Sequence, residues 1–218
     1  FHTIFHALNN FCSVDLSAVY LDILKDRLYT FRADSPLRRG SQTVLFEIVV
    51  AMTKLMAPVL SFTAEEIWRT LVTQVGGCLG LSSVHLSEFP EVQPQWQDAA
   101  LAERWEQLLE VRVAVQAALE NQRRDKVIGS SLEADVQIQA NPEKHALLER
   151  YVKELPTIFI VSGVDLKEVH HLPHKPDFVA IGSKAESNKC ERCWNYREAV
   201  GKDATHPTLC DRCVEAVQ

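Results

Sequence analysis

Near the carboxyl end, in KCERCWNYREAVGKDATHPTLCDRC, Cys190 and Cys193 form one Cys-x-x-Cys pair and Cys210 and Cys213 a second, separated by sixteen residues. Four thiols so arranged serve disulfides, a catalytic metal, or a clip that shapes a small binding surface. Disulfides are disfavoured in a reducing cytosol, and two pairs spaced by about 15 to 20 residues match a zinc ribbon. Each tight turn sets two thiolates on neighbouring corners of a tetrahedron, and two turns close the sphere. With all four positions filled by sulfur, no place is left for an activated water, so the expected ion is one structural zinc. The surrounding stretch, 184–218, is too short to bury much apolar surface, and metal would supply its folding free energy, on the order of 10 kcal/mol.

The two turns, Cys-Glu-Arg-Cys and Cys-Asp-Arg-Cys, are near repeats that place Arg192 and Arg212 at equivalent points around the metal, with Trp194 just beyond the first. Guanidiniums and an exposed indole on a rigid knuckle suit unpaired bases. The other reading has Trp194 packed over the metal and both arginines in water. Residue types alone leave the two open. Cys12, near the apolar face of the first helix, and Cys78, after Gly76 and Gly77, read as ordinary thiols. His170, His171 and His174 in HHLPH lack a metalloprotease spacing or a carboxylate motif. His206 reads as a loop residue, since four cysteines already complete the ligand set.

Upstream, glycine and proline clusters divide the chain. From Phe1 to about Val75 the pattern is helical, with Leu16, Val19, Tyr20, Ile23, Leu28 and Phe31 on one amphipathic face that Arg27 interrupts. A break at ADSPLRRGS precedes a long helix ending before Pro58, which cannot sit in a helix interior. Its apolar stretch, Thr43 to Phe62, is broken by Glu47 and Lys54 and reads as a buried helix rather than a membrane span. In FTAEEI, Thr63 and Glu66 form a capping box, and Phe62 and Ile67 are set for a hydrophobic staple. A proline-punctuated connection leads to a helix from about Asp98, its face held by Leu101, Trp105, Leu108, Arg112, Val115 and Leu119. Arg123, Arg124 and Lys126 followed by Gly129 are the expected stop for that helix. Leu132, Ala134, Val136 and Ile138 then alternate with polar residues as a half-buried strand. A helix from about Pro142 to Glu154 and the apolar run TIFIV follow.

The expected fold class is therefore α+β, mainly α: an antiparallel helix bundle, a small mixed α/β junction and a four-cysteine zinc ribbon. The expected spans are 1–75 for the first part of the bundle, 76–130 for a connection and a helix completing it, 131–183 for the junction and 184–218 for the ribbon. The 46% hydrophobic and 24% charged residues are those of an ordinary globular protein. The amino end has no basic region followed by an apolar block, so a signal peptide is not expected and the expected location is the cytoplasm. The sequence opens without Met on a helical face of Phe1, Phe5 and Leu8, as a piece of something longer would.

A net charge of −6 does not fit a general polyanion binder. The charge is uneven, however. Residues 1–75 carry seven basic and seven acidic side chains and 184–218 carry six of each, so all of the acidic excess lies between them. Any contact with a polyanion is thus expected at the two ends rather than in the middle, with weak and strongly salt-dependent affinity.

Taken in order, FCSVDLSAVYLDILKDRLYT, RRGSQTVL, LMAPVLSFTAEEIW, KVIGSSLEA and the ribbon with KCERCW and HPTLCDRC resemble the C-terminal part of bacterial isoleucyl-tRNA synthetases. The resemblance covers nearly the whole chain and is weakest between about Gly76 and Ala100. The helical motifs alone would also suit the valyl and leucyl relatives, and the terminal ribbon running into Trp194 tips the choice to isoleucine. The resemblance implies a class I isoleucine-tRNA ligase that joins isoleucine to tRNA using ATP in a catalytic domain with HIGH and KMSKS signatures. Neither signature occurs in this sequence, so no catalytic residue is expected and ATP belongs to a domain outside it. What remains looks like an anticodon-binding helical domain, a junction and a zinc module. The implied partners are the anticodon stem-loop of isoleucine tRNA and the remainder of a synthetase chain, with no membrane partner and a monomeric state. Candidate contacts are Lys25, Arg27, Arg38 and Arg39 for phosphates and Arg192, Trp194 and Arg212 for bases. For Lys25 and Arg27 the plainer alternative is a salt-bridged helix surface with Asp22 and Asp26. Two rival functions stay open: the DNA-gripping ribbon of a formamidopyrimidine-type glycosylase, and a protein-interaction scaffold in which zinc serves stability alone.

Overall fold

A computed structural model of the chain describes residues 1–75, 79–171 and 176–218. Cys78 and His174, both considered above, lie outside the described residues. The fold is mainly helical with one three-stranded sheet, and it divides into two compact units, 1–17 with 33–97 and 18–32 with 98–218. Among the described residues no helix is long and apolar enough to cross a membrane.

The first unit holds α1 (His2–Asn10), the start of a wider π-type helical run (Phe11–Leu21), α3 (Pro36–Met56) and α4 (Ser61–Val75). Proline occupies the first position of α3, where its missing N–H costs nothing. The core is small: Ala57, Ala64, Trp68 and Val84, with Val50, Val72 and Leu79 against it. The Trp68 indole N–H donates to the Leu81 carbonyl at 3.0 Å. Two expectations are corrected in this unit. First, α3 is not a buried helix: Ser41 and Thr53 are its buried residues, because a core built on alanines leaves Val44 and Leu55 exposed. Second, α4 starts two residues before the expected capping box. The Ala64 N–H already bonds the Leu60 carbonyl, so Thr63 lies inside the first turn, and Phe62 is 94% exposed with no staple. The acidic residue that does tie this turn is Glu65, which accepts from the Ser83 hydroxyl at 2.7 Å and the Val84 N–H at 3.2 Å.

The second unit is built on a sheet of order β2-β1-β3, with β1 (Ala134–Ala140) central, parallel to β2 (Gly163–Glu168) and antiparallel to β3 (Phe178–Lys184). As the alternation predicts, Ala134, Val136, Ile138 and Ala140 are buried and the residues between them half-buried. The parallel pair requires a crossover, which α6 (Pro142–Glu149) and α7 (Leu155–Phe159) supply. The expected single helix to Glu154 is thus two short ones. Of the apolar run TIFIV, Thr157 to Phe159 end α7, and Ile160 turns left-handed at φ 58°.

Over the sheet lies α5 (Ala99–Arg124), whose Leu108, Val111, Val115 and Leu119 are buried in the main core. Asp98 caps it by accepting the Leu101 N–H at 2.9 Å. It packs on β3 and α7. The helix comes close at Gly182 on β3, where a Cβ would touch the Leu119 and Gln122 side chains at 3.4 Å. The stop of α5 is also corrected. Lys126, not Gly129, takes the left-handed conformation (φ 58°), and the Val127 N–H closes back on the Gln122 carbonyl at 2.9 Å. Gly129 lies in the following turn, its N–H held by Glu133 at 3.0 Å.

The same unit includes α2 (Asp22–Thr30), although α2 lies far from the rest of it in the chain. Ile23 joins the main core, while Asp22, Asp26 and Thr30, four residues apart, stand on one side of the helix. Arg112 of α5 reaches this side: its Nη2 donates to Asp22 Oδ2 at 2.8 Å, and its Nε donates to the Ile158 carbonyl at 3.0 Å.

Candidate metal centre and nucleic-acid interface

Cys190 and Cys193 flank the first tight turn, and Cys210 and Cys213 the second, which opens α8 (Asp211–Val217). The Trp194 N–H closes the first turn on the Cys190 carbonyl at 2.9 Å, and the Cys213 N–H closes the second on the Cys210 carbonyl at 3.0 Å. Lys189 and Tyr196 bridge the base of the first turn, and the Glu191 N–H donates to the Thr208 carbonyl at 3.1 Å to join the two arms. The four sulfurs are buried and lie within 4.8 Å of one another; among the described residues they are the one group of three or more metal-capable side chains so placed. Cys193 Sγ and Cys210 Sγ are 3.7 Å apart. A tetrahedron with metal–sulfur bonds of about 2.3 Å has edges of about 3.8 Å, so the geometry fits zinc. His206 is outside the set; its N–H donates to Asp203 at 2.7 Å.

Electrostatics within the cluster favour a cation. The neighbouring Cys210 thiol, helped by the Asn195 groups and opposed by burial, pulls Cys193 down to about 4. The same contact, together with burial, pushes Cys210 up, and burial pushes Cys213 up. One thiolate, Cys193, thus forms readily while Cys210 and Cys213 resist, so binding of an ion would drive out further protons.

The expected tRNA contacts separate into two groups. Lys25 is exposed and pairs with Asp22 at 2.8 Å, the salt-bridged surface considered as the alternative. Arg27 and Arg38 are half-buried, and Arg39 is exposed. Trp194 is 61% exposed at φ 65°, so it does not pack over the cysteines, and Lys189 Nζ lies 5.7 Å from its ring centroid. Arg192 and Arg212 do not stand in water: both are bonded within the fold. Arg192 donates to the Thr30 carbonyl and lies 3.6 Å from Cys213 Sγ. Arg212 donates to both oxygens of Asp26, the Nη2–Oδ1 bond being 2.8 Å, and its guanidinium sits 4.7 Å over the Phe31 ring. Burial opposes the Arg212 charge, and the Asp26 carboxylate outweighs it, holding the group above its usual value.

Three contributors escaped the sequence reading: Lys189, the buried Asn195, and Ser162, whose hydroxyl accepts the Tyr196 N–H at 2.6 Å and ties the ribbon to the sheet. Lys189 beside a Cys-x-x-Cys-Trp run was a readable signal. Ser162 was not, since its partner lies 34 residues away.

The sequence has clear relatives. Residues 187–216 match the family described as a zinc finger found in FPG and IleRS. Proteins named isoleucine-tRNA ligase match along the chain: that of Geobacter sulfurreducens is 47% identical over 100% of this chain and 24% of the relative. The Syntrophotalea carbinolica protein is 48% identical over 98% of this chain and 23% of the relative, and that of Moorella thermoacetica 42% identical over 100% and 24%. The chain therefore spans about a quarter of the length of the curated relatives it matches. Residues 1–138, more than half of the chain, match the anticodon-binding domain of tRNA ligases, and the chain belongs to that family.

Proposed function

We propose that this chain is the tRNA-holding portion of an isoleucine-tRNA ligase, gripping the anticodon stem and loop while a catalytic domain elsewhere in a longer enzyme joins isoleucine to the acceptor end at the expense of ATP. The observation that carries the reading is the presence in one chain of the anticodon-binding match at residues 1–138 and a four-cysteine ribbon with an exposed indole at its first turn. Lys25, Arg27, Arg38 and Arg39 neutralise phosphates, and the Trp194 ring offers a stacking face to an unpaired base. Arg192 and Arg212 complete the candidate set, with guanidiniums already bonded inside the fold.

Zinc held by Cys190, Cys193, Cys210 and Cys213 would supply folding free energy, and with four sulfurs bound it has no open position for chemistry. The protein acts as a monomer in the cytoplasm. Relatives that are isoleucine-tRNA ligases along the whole chain favour this over a glycosylase ribbon or a scaffold.

The test is binding of the zinc-loaded chain to the anticodon stem-loop of isoleucine tRNA and to duplex DNA of equal length, across a salt series. Preference for the stem-loop, weakening as salt rises, supports the reading. Equal binding to duplex DNA, or no RNA binding by folded and loaded protein, overturns it.

A further inference from the structure

We infer that Arg192 and Arg212 are positioning residues which latch the metal ribbon onto α2, and that Asp26 and Thr30 are the receiving half of the latch. Three arginines from distant parts of the chain converge on one side of this helix: Arg112 on Asp22, Arg212 on Asp26 and Thr30, and Arg192 on the Thr30 carbonyl. Thr30 is the last residue of α2, so its carbonyl has no donor within the helix and carries the negative end of the helix dipole. A guanidinium satisfies both needs.

The two ribbon arginines occupy the same place in the two Cys-x-Arg-Cys turns. Arg192 of the first turn lies 3.6 Å from Cys213 Sγ of the second. Four thiolates around one divalent ion leave a formal charge of about −2, which two arginines balance locally. In Arg192 a single nitrogen, Nη1, meets both the Thr30 carbonyl and Cys213 Sγ, so one group joins the metal centre to α2. Closing the tetrahedron fixes both turns, and fixing the turns aims both arginines at the helix. Asp26 is spoken for in the same way, since it also accepts from the Thr30 hydroxyl at 2.7 Å. The latch stands on the fold alone and does not depend on whether the ribbon touches RNA.

Amide hydrogen exchange of the zinc-loaded full chain tests it, with zinc content and stem-loop affinity measured in parallel. Arg212→Ala and Asp26→Asn should each speed exchange at residues 27–32 and 191–197 by about tenfold or more. The double variant should be little worse than either single one. Arg212→Lys should restore part of the protection, because a point charge cannot make the two-pronged bond. Zinc should remain at one per chain. If Arg212→Ala loses zinc, Asp26→Asn decides: faster exchange at the ribbon with zinc retained upholds the latch, and unchanged exchange overturns it. The latch also fails if Arg212→Ala leaves exchange unaltered while weakening RNA binding and lowering its salt slope by about one, since Arg212 would then be a phosphate contact.

Discussion

Replacing Arg112 with alanine should destabilise the second unit by about 3 kcal/mol. Breaking a fully buried ion pair from one side costs about 3–5 kcal/mol, most of it from the stranded charge. The Arg112 side chain is 6% exposed, but its partner Asp22 is 30% exposed and keeps Lys25 at 2.8 Å on its other oxygen, so little charge is stranded. What remains is a lost charge-assisted bond, about 1.5–3 kcal/mol, and the Ile158 carbonyl left without its donor, about 1–3 kcal/mol, partly offset by water entering the gap. Arg112→Met keeps the volume and loses the same bonds, so it should cost about 2 kcal/mol. Asp22→Asn retains an acceptor and leaves the Ile158 bond intact, and should cost about 1 kcal/mol. Urea denaturation followed through the amide signals of β1 reports this unit separately from the other. An Arg112→Ala cost below about 1 kcal/mol, or an Asp22→Asn cost equal to it, would refute the assignment of the Ile158 carbonyl as the costly partner.

Other perturbations have equally definite outcomes. Stripping the metal with a chelator should abolish amide protection across the ribbon and leave β1 protected; zinc affinity should rise with pH, because Cys210 and Cys213 bind as thiolates and are held above their ordinary range. Ile138→Ala, at a fully buried position of the central strand, should cost about 2–5 kcal/mol in the same urea assay. Trp194→Ala should weaken stem-loop binding by about 1–3 kcal/mol without lowering thermal stability, and Trp194→Gly should be about 1 kcal/mol more stable than the alanine variant because the residue sits at φ 65°. Glu65, held by the Ser83 hydroxyl below its ordinary value of 4.5, contributes stability that is present above that value and lost as pH falls through the folded one. Ser83→Ala should bring the Glu65 titration, followed by NMR, back towards the ordinary value.

Features written in short stretches of sequence were legible. The start of α5 near Asp98, the period-two burial of β1 and the metal cluster each depend on residues whose spacing carries its own geometry. What escaped was decided elsewhere. The strands β2 and β3 are short and half-exposed, so neither shows an alternation strong enough to read, and their order follows from pairing with β1. The capping box of α4 failed because the turn after Pro58 already allows helical bonding from Leu60, three residues before Thr63. The bonds that Arg192 and Arg212 make inside the fold were not legible, since nothing in Cys-x-Arg-Cys reveals that Asp26 and Thr30 will be waiting for them.

The bond between Arg212 and Asp26 joins residues 186 positions apart. During synthesis, α2 leaves the ribosome with its carboxylates and Ile23 uncovered, and residues 33–97 can complete their own unit before any of its partners exist. Joining segments so far apart carries a loop-closure penalty that makes it a late and slow event. The ribbon thus adds a late stitch to a helix that Ile23 and Arg112 have already drawn onto the sheet unit: until both knuckles are made and loaded, the Asp26 and Thr30 end of α2 lacks its arginine partners.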